Sequence, residues 1–189
     1  MNAAAIVERM VGELHAVGIR PGDLLLVHAS LRALGFVPGG AAPVIAALHA
    51  ALGAEGTLLM PALSYATVTP ANPCFDLAAT PANVGIIAET FRMQAGVRRS
   101  LHPTHSVCGR GRLAERLLAT HAADCTPCGP HSPFRLLPEQ GGKILMLGCG
   151  LRPNTSFHAI EELVTPPYLF GESLDYTLID DAGRRTVKR

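Results

Sequence analysis

Three short apolar runs constrain this chain more than anything else in it: residues 24–27, 57–61 and 143–147, each leading into a loop and then into a segment with helical spacing. Runs of four or five apolar residues without polar alternation suit strands covered on both faces, as in a parallel sheet. Repeated strand–loop–helix units predict an α/β fold: a three-layer α/β/α sandwich with a mostly parallel central sheet, its ligand site at the carboxyl ends of the strands. That places His28, Ser64 and the loop 149–158 along one edge.

The intervening segments support this order. Ile6, Met10, Val11, Leu14 and Val17 recur at helical spacing before Gly18 and Pro21-Gly22, and Val44, Ala47, Leu48 and Leu52 mark a second helix that Gly53 ends. Residues 84–93 read as a helix with Ile86, Ile87 and Phe91 inward, 106–108 as a strand, and 113–118 and 156–163 as helices. Prolines and polar residues in 69–81 predict an extended surface loop, and 125–133 predicts a second Pro/Gly loop. Residues 174–187 alternate like a C-terminal β-hairpin around Asp180-Asp181-Ala182-Gly183.

Composition excludes several classes of function. With 189 residues, 48% of them hydrophobic and 16% charged, the chain can bury a real core as one domain. Sixteen Lys and Arg against 15 Asp and Glu leave a net charge of +1 with no basic block, so a nucleic-acid partner is not expected. No apolar run approaches the roughly 20 residues that span a bilayer, so no membrane partner is expected. The start Met1-Asn2-Ala3-Ala4-Ala5-Ile6-Val7-Glu8 has no basic-then-apolar signal pattern, which predicts a cytoplasmic protein. Five cysteines, an odd number at irregular spacing, read as reduced thiols.

The strongest local constellation is Asn154-Thr155-Ser156-Phe157-His158-Ala159-Ile160-Glu161, directly after an apolar strand. Thr155 or Ser156 can cap the helix, and His158 and Glu161, three apart, share a helical face. A carboxylate there can hold the imidazole in one tautomer and stabilise its protonated form, as a general base requires; an ordinary solvated ion pair has the same spacing. His28, at the end of the first strand, faces either a binding crevice or the core. His102 and His105 with Cys125 and Cys128 could close a tetrahedral zinc shell, but the ample core argues against a zinc-stapled module, and no metal is expected. No phosphate-binding GxxxxGK[ST] loop and no GxSxG nucleophile elbow occurs in the chain.

Five blocks in order carry a family resemblance: residues 26–35 around Val27-His28-Ala29-Ser30-Leu31, 56–61, 84–92, 99–106 with His102-Pro103-Thr104-His105-Ser106, and 154–161 with Asn154-Thr155-Ser156-Phe157-His158. Together they resemble the aminoglycoside N(3)-acetyltransferase family, which is unrelated to the commoner GNAT acetyltransferases. The resemblance implies an α/β/α sandwich that transfers acetyl from acetyl-CoA to an amine of an aminoglycoside or related amino sugar, at the 3-N position. It implies His158 as general base with Glu161 as its partner, and His28 as a second active-site histidine. Ser30, Leu31, Gly35, Val37 and Ser106 match the region that holds CoA, and Thr57, Ser106 or backbone N–H groups are the expected oxyanion donors. The partners implied are a small-molecule amine and coenzyme A; a homo-oligomer is compatible with this reading.

Family members continue beyond the point corresponding to Arg189, so residues 1–189 are expected to form a single acetyltransferase domain lacking the family's C-terminal portion, which helps to wall the substrate pocket. A catalytically silent, CoA-binding member is the alternative. An acceptor that is a polycation calls for carboxylates, so Glu161 with Asp76, Glu172 or Asp175 is expected to face the cleft of His158.

Overall fold

A computed structural model describes residues 3–189; Met1 and Asn2, on which the reading of the N-terminal start partly rests, lie outside the described residues. Among these residues the helices are α1 (Ala3–Ala16), α2 (Ala41–Leu52), α3 (Ile86–Arg92), α4 (Ala114–Leu118), α5 (Pro133–Glu139) and α6 (Ser156–Val164). The strands are β1 (Leu24–Ala29), β2 (Thr57–Pro61), β3 (Cys74–Asp76), β4 (Arg98–Arg99), β5 (Val107–Gly111), β6 (Lys143–Leu147), β7 (Tyr176–Ile179) and β8 (Arg185–Lys188). Five strands form the main sheet in the order β4-β5-β2-β1-β6, and β3-β7-β8 form a second, smaller sheet.

The fold is mixed α/β, and the expectation of a mostly parallel sheet is corrected. β1 pairs parallel with β2 and with β6, whereas β5 runs antiparallel to both β2 and β4. The reason is the connection 100–106: it turns β4 straight back into β5 as a hairpin, where a parallel pair would need a long crossover. Because Val107 opens β5 opposite Pro61 at the end of β2, this connection lies over the carboxyl ends of β1 and β2.

Side chains alternate along β1 into two apolar clusters. Leu25 and Val27 pack with Met10, Leu48 and Phe91 from α1, α2 and α3, while Leu24 and Leu26 pack with Leu117, Phe134 and Ala159 from α4, α5 and α6. β1 and β2 are buried almost throughout, as continuous apolar runs should be when both faces are covered. β6 departs from its expected burial: it is an edge strand in this sheet, with Lys143 and Ile144 exposed.

Two other expectations change, and one helix, α5, was not expected. Residues 69–81 do not form a plain surface loop, because β3 lies within them and pairs with β7, burying Phe75 completely against Val68 and Leu178 under the Arg99 guanidinium, 4.7 Å from the ring centroid. Ile86 points outward, since α3 begins only at that residue. α5 follows the second Pro/Gly loop, with Pro133 in its first turn and the Ser132 hydroxyl accepting from the Phe134 N–H. The hairpin of β7 and β8 stands where it was expected. All five cysteines are free, and among the described residues no helix is long and apolar enough to cross a membrane.

Candidate active site

The carboxyl ends of β1, β2 and β6 open onto a cleft of about 730 Å³. One wall starts at β1, whose last residues deliver His28 and then Ser30. The Ser30 N–H donates to Leu147 O at the end of β6 (2.9 Å), and its hydroxyl accepts from the Ala33 N–H (3.4 Å), starting a single 3-10 turn over residues 31–34. Gly148 is required where this turn meets β6: its φ is +71°, and a Cβ there would stand 3.1 Å from Ser30 O. Ser30, Leu31 and Arg32 line the cleft. Gly35 instead ends the turn, and Val37 packs against the cluster of α1, α2 and α3, so both shape the loop without lining the cleft.

α6 forms the opposite wall. Neither expected capping side chain is used: Thr155 makes no side-chain cap bond, Ser156 Oγ is buried without a partner, and Asn154 Oδ1 takes the Ser156 N–H instead (3.1 Å). One turn on, His158 Nδ1 stands 2.7 Å from Glu161 Oε2, with the ring half exposed at the cleft and the carboxylate behind it. A carboxylate that accepts a hydrogen bond from the Nδ1–H leaves Nε2 free to accept a proton. The neighbouring Glu162 has a different task, as it receives the Cys128 N–H (2.7 Å) and the Thr126 hydroxyl (2.6 Å) and so ties α6 to the loop before α5.

The third wall is the connection 100–106. Ser64 anchors it, its N–H donating to Thr104 O (2.9 Å) and its hydroxyl to Pro103 O (2.7 Å). His102 sits beneath, its Nδ1 accepting from the N–H groups of Thr104 (3.3 Å) and His105 (3.0 Å). This brings His105 to the cleft, where its ring meets that of His158 edge to face at 6.3 Å between centroids. Sequence reasoning weighed His102 and His105 as metal ligands, set that reading aside, and gave neither a place in the cleft. Their place in the loop directly before the strand expected at 106–108 was the available signal. Among the described residues no group of three or more His, Cys, Asp or Glu is arranged to hold a metal ion.

Burial keeps the inner histidines neutral. It pushes His28 and His105 down to about 4, the latter helped by the nearby His158 ring, and holds His102 well below its ordinary value. His28 Nε2 is buried without a partner.

Two further expected residues, besides Gly35 and Val37, are not brought to the cleft. Ser106 is fully buried, donating to Ala62 O (2.8 Å) and accepting from Arg99 Nε (2.9 Å). Thr57 begins β2 at the far end of the sheet and accepts from the Leu113 N–H (2.9 Å), so it cannot serve as an oxyanion donor here. The expected carboxylate lining is also corrected: among the described residues no Asp or Glu lines the cleft, and its fixed charge comes from Arg32 and Arg152. Asp76 is engaged in a turn, accepting from Ala78 N–H (2.9 Å) and Ala79 N–H (2.8 Å), while Glu172 and Asp175 are exposed ahead of β7.

A family model described as aminoglycoside 3-N-acetyltransferase matches residues 26–189. The chain belongs to the aminoglycoside 3-N-acetyltransferase family. It is similar to aminoglycoside N(3)-acetyltransferase III of Serratia marcescens, 37% identical over 85% of this chain and 65% of that one. Among solved structures it superposes on AAC-IIIb in its binary complex with CoASH with a TM-score of 0.83 and 29% identity, over 96% of this chain and 74% of that one. AAC-VIa bound to sisomicin gives 0.79 and 29%, over 96% and 73%. The chain thus spans 65% of the length of its Serratia relative.

Proposed function

We propose that this chain is an acetyl-CoA-dependent N-acetyltransferase acting on an amino group of an aminoglycoside or related amino sugar, at the 3-N position as the family name implies. The observation that carries the reading is the His158–Glu161 pair, 2.7 Å apart at the wall of a cleft in a chain whose structural neighbours hold CoASH and sisomicin. The amine nitrogen attacks the thioester carbonyl, His158 Nε2 takes its proton, and Glu161 stabilises the imidazolium. The C–S bond then breaks and CoA leaves as a thiolate, which needs little acid help because a thiol ionises at about 8.5. His28, neutral and without a protein partner on its buried nitrogen, is the side chain suited to donate to the oxyanion alongside backbone N–H groups.

Ser30 and Leu31 lie where CoA would pass, and Arg32 and Arg152 complement its phosphates. Gly35 and Val37 shape that loop from behind, and Ser106, bonded to Ala62 O and Arg99, holds the end of β2 to the start of β5. We read residues 1–189 as one acetyltransferase domain, its apolar clusters on the two sheet faces forming an α/β/α arrangement, working in the cytoplasm where acetyl-CoA is made and used.

Measuring CoA release over a panel of aminoglycosides and simple amines tests the reading: turnover with an aminoglycoside is expected, and no release with any amine would overturn it. The lack of lining carboxylates favours a second acceptor class, a small neutral or acidic amine. Preferential turnover of such an amine in the same panel would establish it.

A further inference from the structure

Three imidazoles line the cleft, those of His28, His105 and His158, and among them only His158 has a carboxylate partner. His105 is the one held most firmly from behind. Its own N–H and that of Thr104 converge on His102 Nδ1. The His102 ring in turn stacks on His121 at 4.7 Å, and His121 is fixed by Ser100 Oγ on Nδ1 (2.9 Å) and Pro127 O on Nε2 (3.3 Å). On the His105 ring, Nδ1 stands 2.9 Å from the Thr104 hydroxyl; in the tautomer whose Nδ1–H donates to that oxygen, the lone pair is on Nε2, which has no partner among the described residues at the cleft wall.

A neutral primary amine has one lone pair and two N–H groups. If one proton is to go to His158, the direction of the lone pair stays undefined until the second N–H is also held, and orientation of this kind supplies much of the rate in bimolecular transfers. An imidazole can hold it only while neutral, since an imidazolium has no lone pair to accept with. Burial, with His158 close by, pushes His105 down to about 4 and so keeps that lone pair available.

We propose that His105 is a substrate-positioning residue, whose unpartnered ring nitrogen accepts a hydrogen bond from the acceptor amine and aims its lone pair at the thioester carbon. The inference rests on the acetyl-transfer reading. In the step, the N–C bond forms, one proton passes from the amine to His158 Nε2, and the C–S electron pair leaves with the CoA sulfur. His105 neither gains nor loses a proton.

The test compares wild type, His105→Phe and His105→Gln with acetyl-CoA and sisomicin. Phe keeps the ring that packs against His158 but has no acceptor, whereas Gln restores an acceptor oxygen. His105→Phe should lose at least tenfold in kcat/KM for sisomicin with acetyl-CoA affinity by calorimetry within twofold, and His105→Gln should recover part of the loss. Unchanged kcat/KM in His105→Phe overturns the proposal. So does equal impairment of both variants together with lost acetyl-CoA binding, the mark of a merely structural role. If wild type releases no CoA with any amine, the acetyl-transfer reading falls, and the 15N shifts of the His105 ring on adding sisomicin decide the assignment: a shift at the unpartnered nitrogen supports it, and none overturns it.

Discussion

Two histidine–carboxylate pairs of nearly equal length stand on either side of Glu162. His158 Nδ1 lies 2.7 Å from Glu161, and His131 Nδ1 lies 2.8 Å from Asp124, with both rings about half exposed. The carboxylates differ. Asp124 is 1% exposed at its side chain and also receives the His131 N–H (3.1 and 3.0 Å), and Gly129 approaches so closely that a Cβ would stand 2.6 Å from Asp124 Cγ. Glu161 is one-third exposed, and its carboxylate bonds only to His158 among the described residues. The comparison shows that the dyad by itself does not mark a catalytic site. Asp124 closes a loop, and neither it nor His131 lines the cleft, whereas Glu161 serves one ring, and that ring faces the open cavity.

The largest effect should come from breaking the cleft pair. His158→Ala should reduce turnover about 10²–10⁴-fold, the usual cost of losing a general base, while leaving CoA binding intact. His131→Ala should leave turnover within twofold. CoA-release rates and calorimetric binding on both variants check this, and equal rates for His158→Ala and wild type would return the cleft pair to an ordinary solvated one.

Acid should separate the buried histidines from both pairs. His28, His105 and His121 are pushed to about 4 by burial, while the unfolded chain titrates near 6.5. Between these values the unfolded chain binds protons that the folded rings refuse, so stability falls as pH drops from about 6.5 towards 4 and is unaffected by these rings above 7. At pH 5.5 the loss is about 1 kcal/mol per ring. Urea midpoints against pH measure it. Replacing His121 by Asn should flatten the slope by one ring's share, and a slope unchanged in that variant would show that the acid sensitivity lies elsewhere.

How much of this was legible in the sequence depends on the kind of signal each residue left. Thr57–Pro61 and Lys143–Leu147 were located to the residue, because an unbroken apolar run between turn residues has few other readings. Their burial was not equally legible: β2 is central and β6 lies at an edge, yet both carry the same kind of side chain. The antiparallel β5 was hidden because orientation depends on where the chain re-enters the sheet. β3 was hidden because three residues among prolines carry no period, although Phe75 is one of the best-buried side chains. At the site, His158, Glu161 and His28 were found from helix spacing, a strand end and the family blocks. His105 was missed because two histidines three apart in a loop carry no helix or strand period, and only the fold shows that one imidazole supports the turn and the other faces the cleft.

Removing the loop carboxylate should cost stability rather than rate. Asp124→Ala leaves the His131 N–H, and the ring beside it, without the buried acceptor that closes residues 124–131, at a cost of about 1–3 kcal/mol. Turnover per folded molecule should stay within about threefold, because Glu162 still holds Thr126 and Cys128 to α6. Chemical denaturation with a rate measurement on the same sample checks both halves. A variant that keeps its stability would mean that the loop is closed by other contacts.

The smallest effect belongs to the exposed member of the loop pair. In His131→Gln, Asp124 retains the backbone N–H that matters to the loop and loses only a half-exposed ion-pair partner, which solvent screening makes worth less than about 0.5 kcal/mol. The loop nevertheless reaches the cleft by one route, since Thr126 and Cys128 bond to Glu162 on the helix that carries His158. If that route carried strain, a change at residue 131 would alter turnover without altering the unfolding midpoint. We expect neither quantity to move beyond experimental error. A loss of turnover in His131→Gln at unchanged stability would show that the two pairs are coupled through Glu162, and the contrast between a closing pair and a working pair would then have to be redrawn as one connected unit.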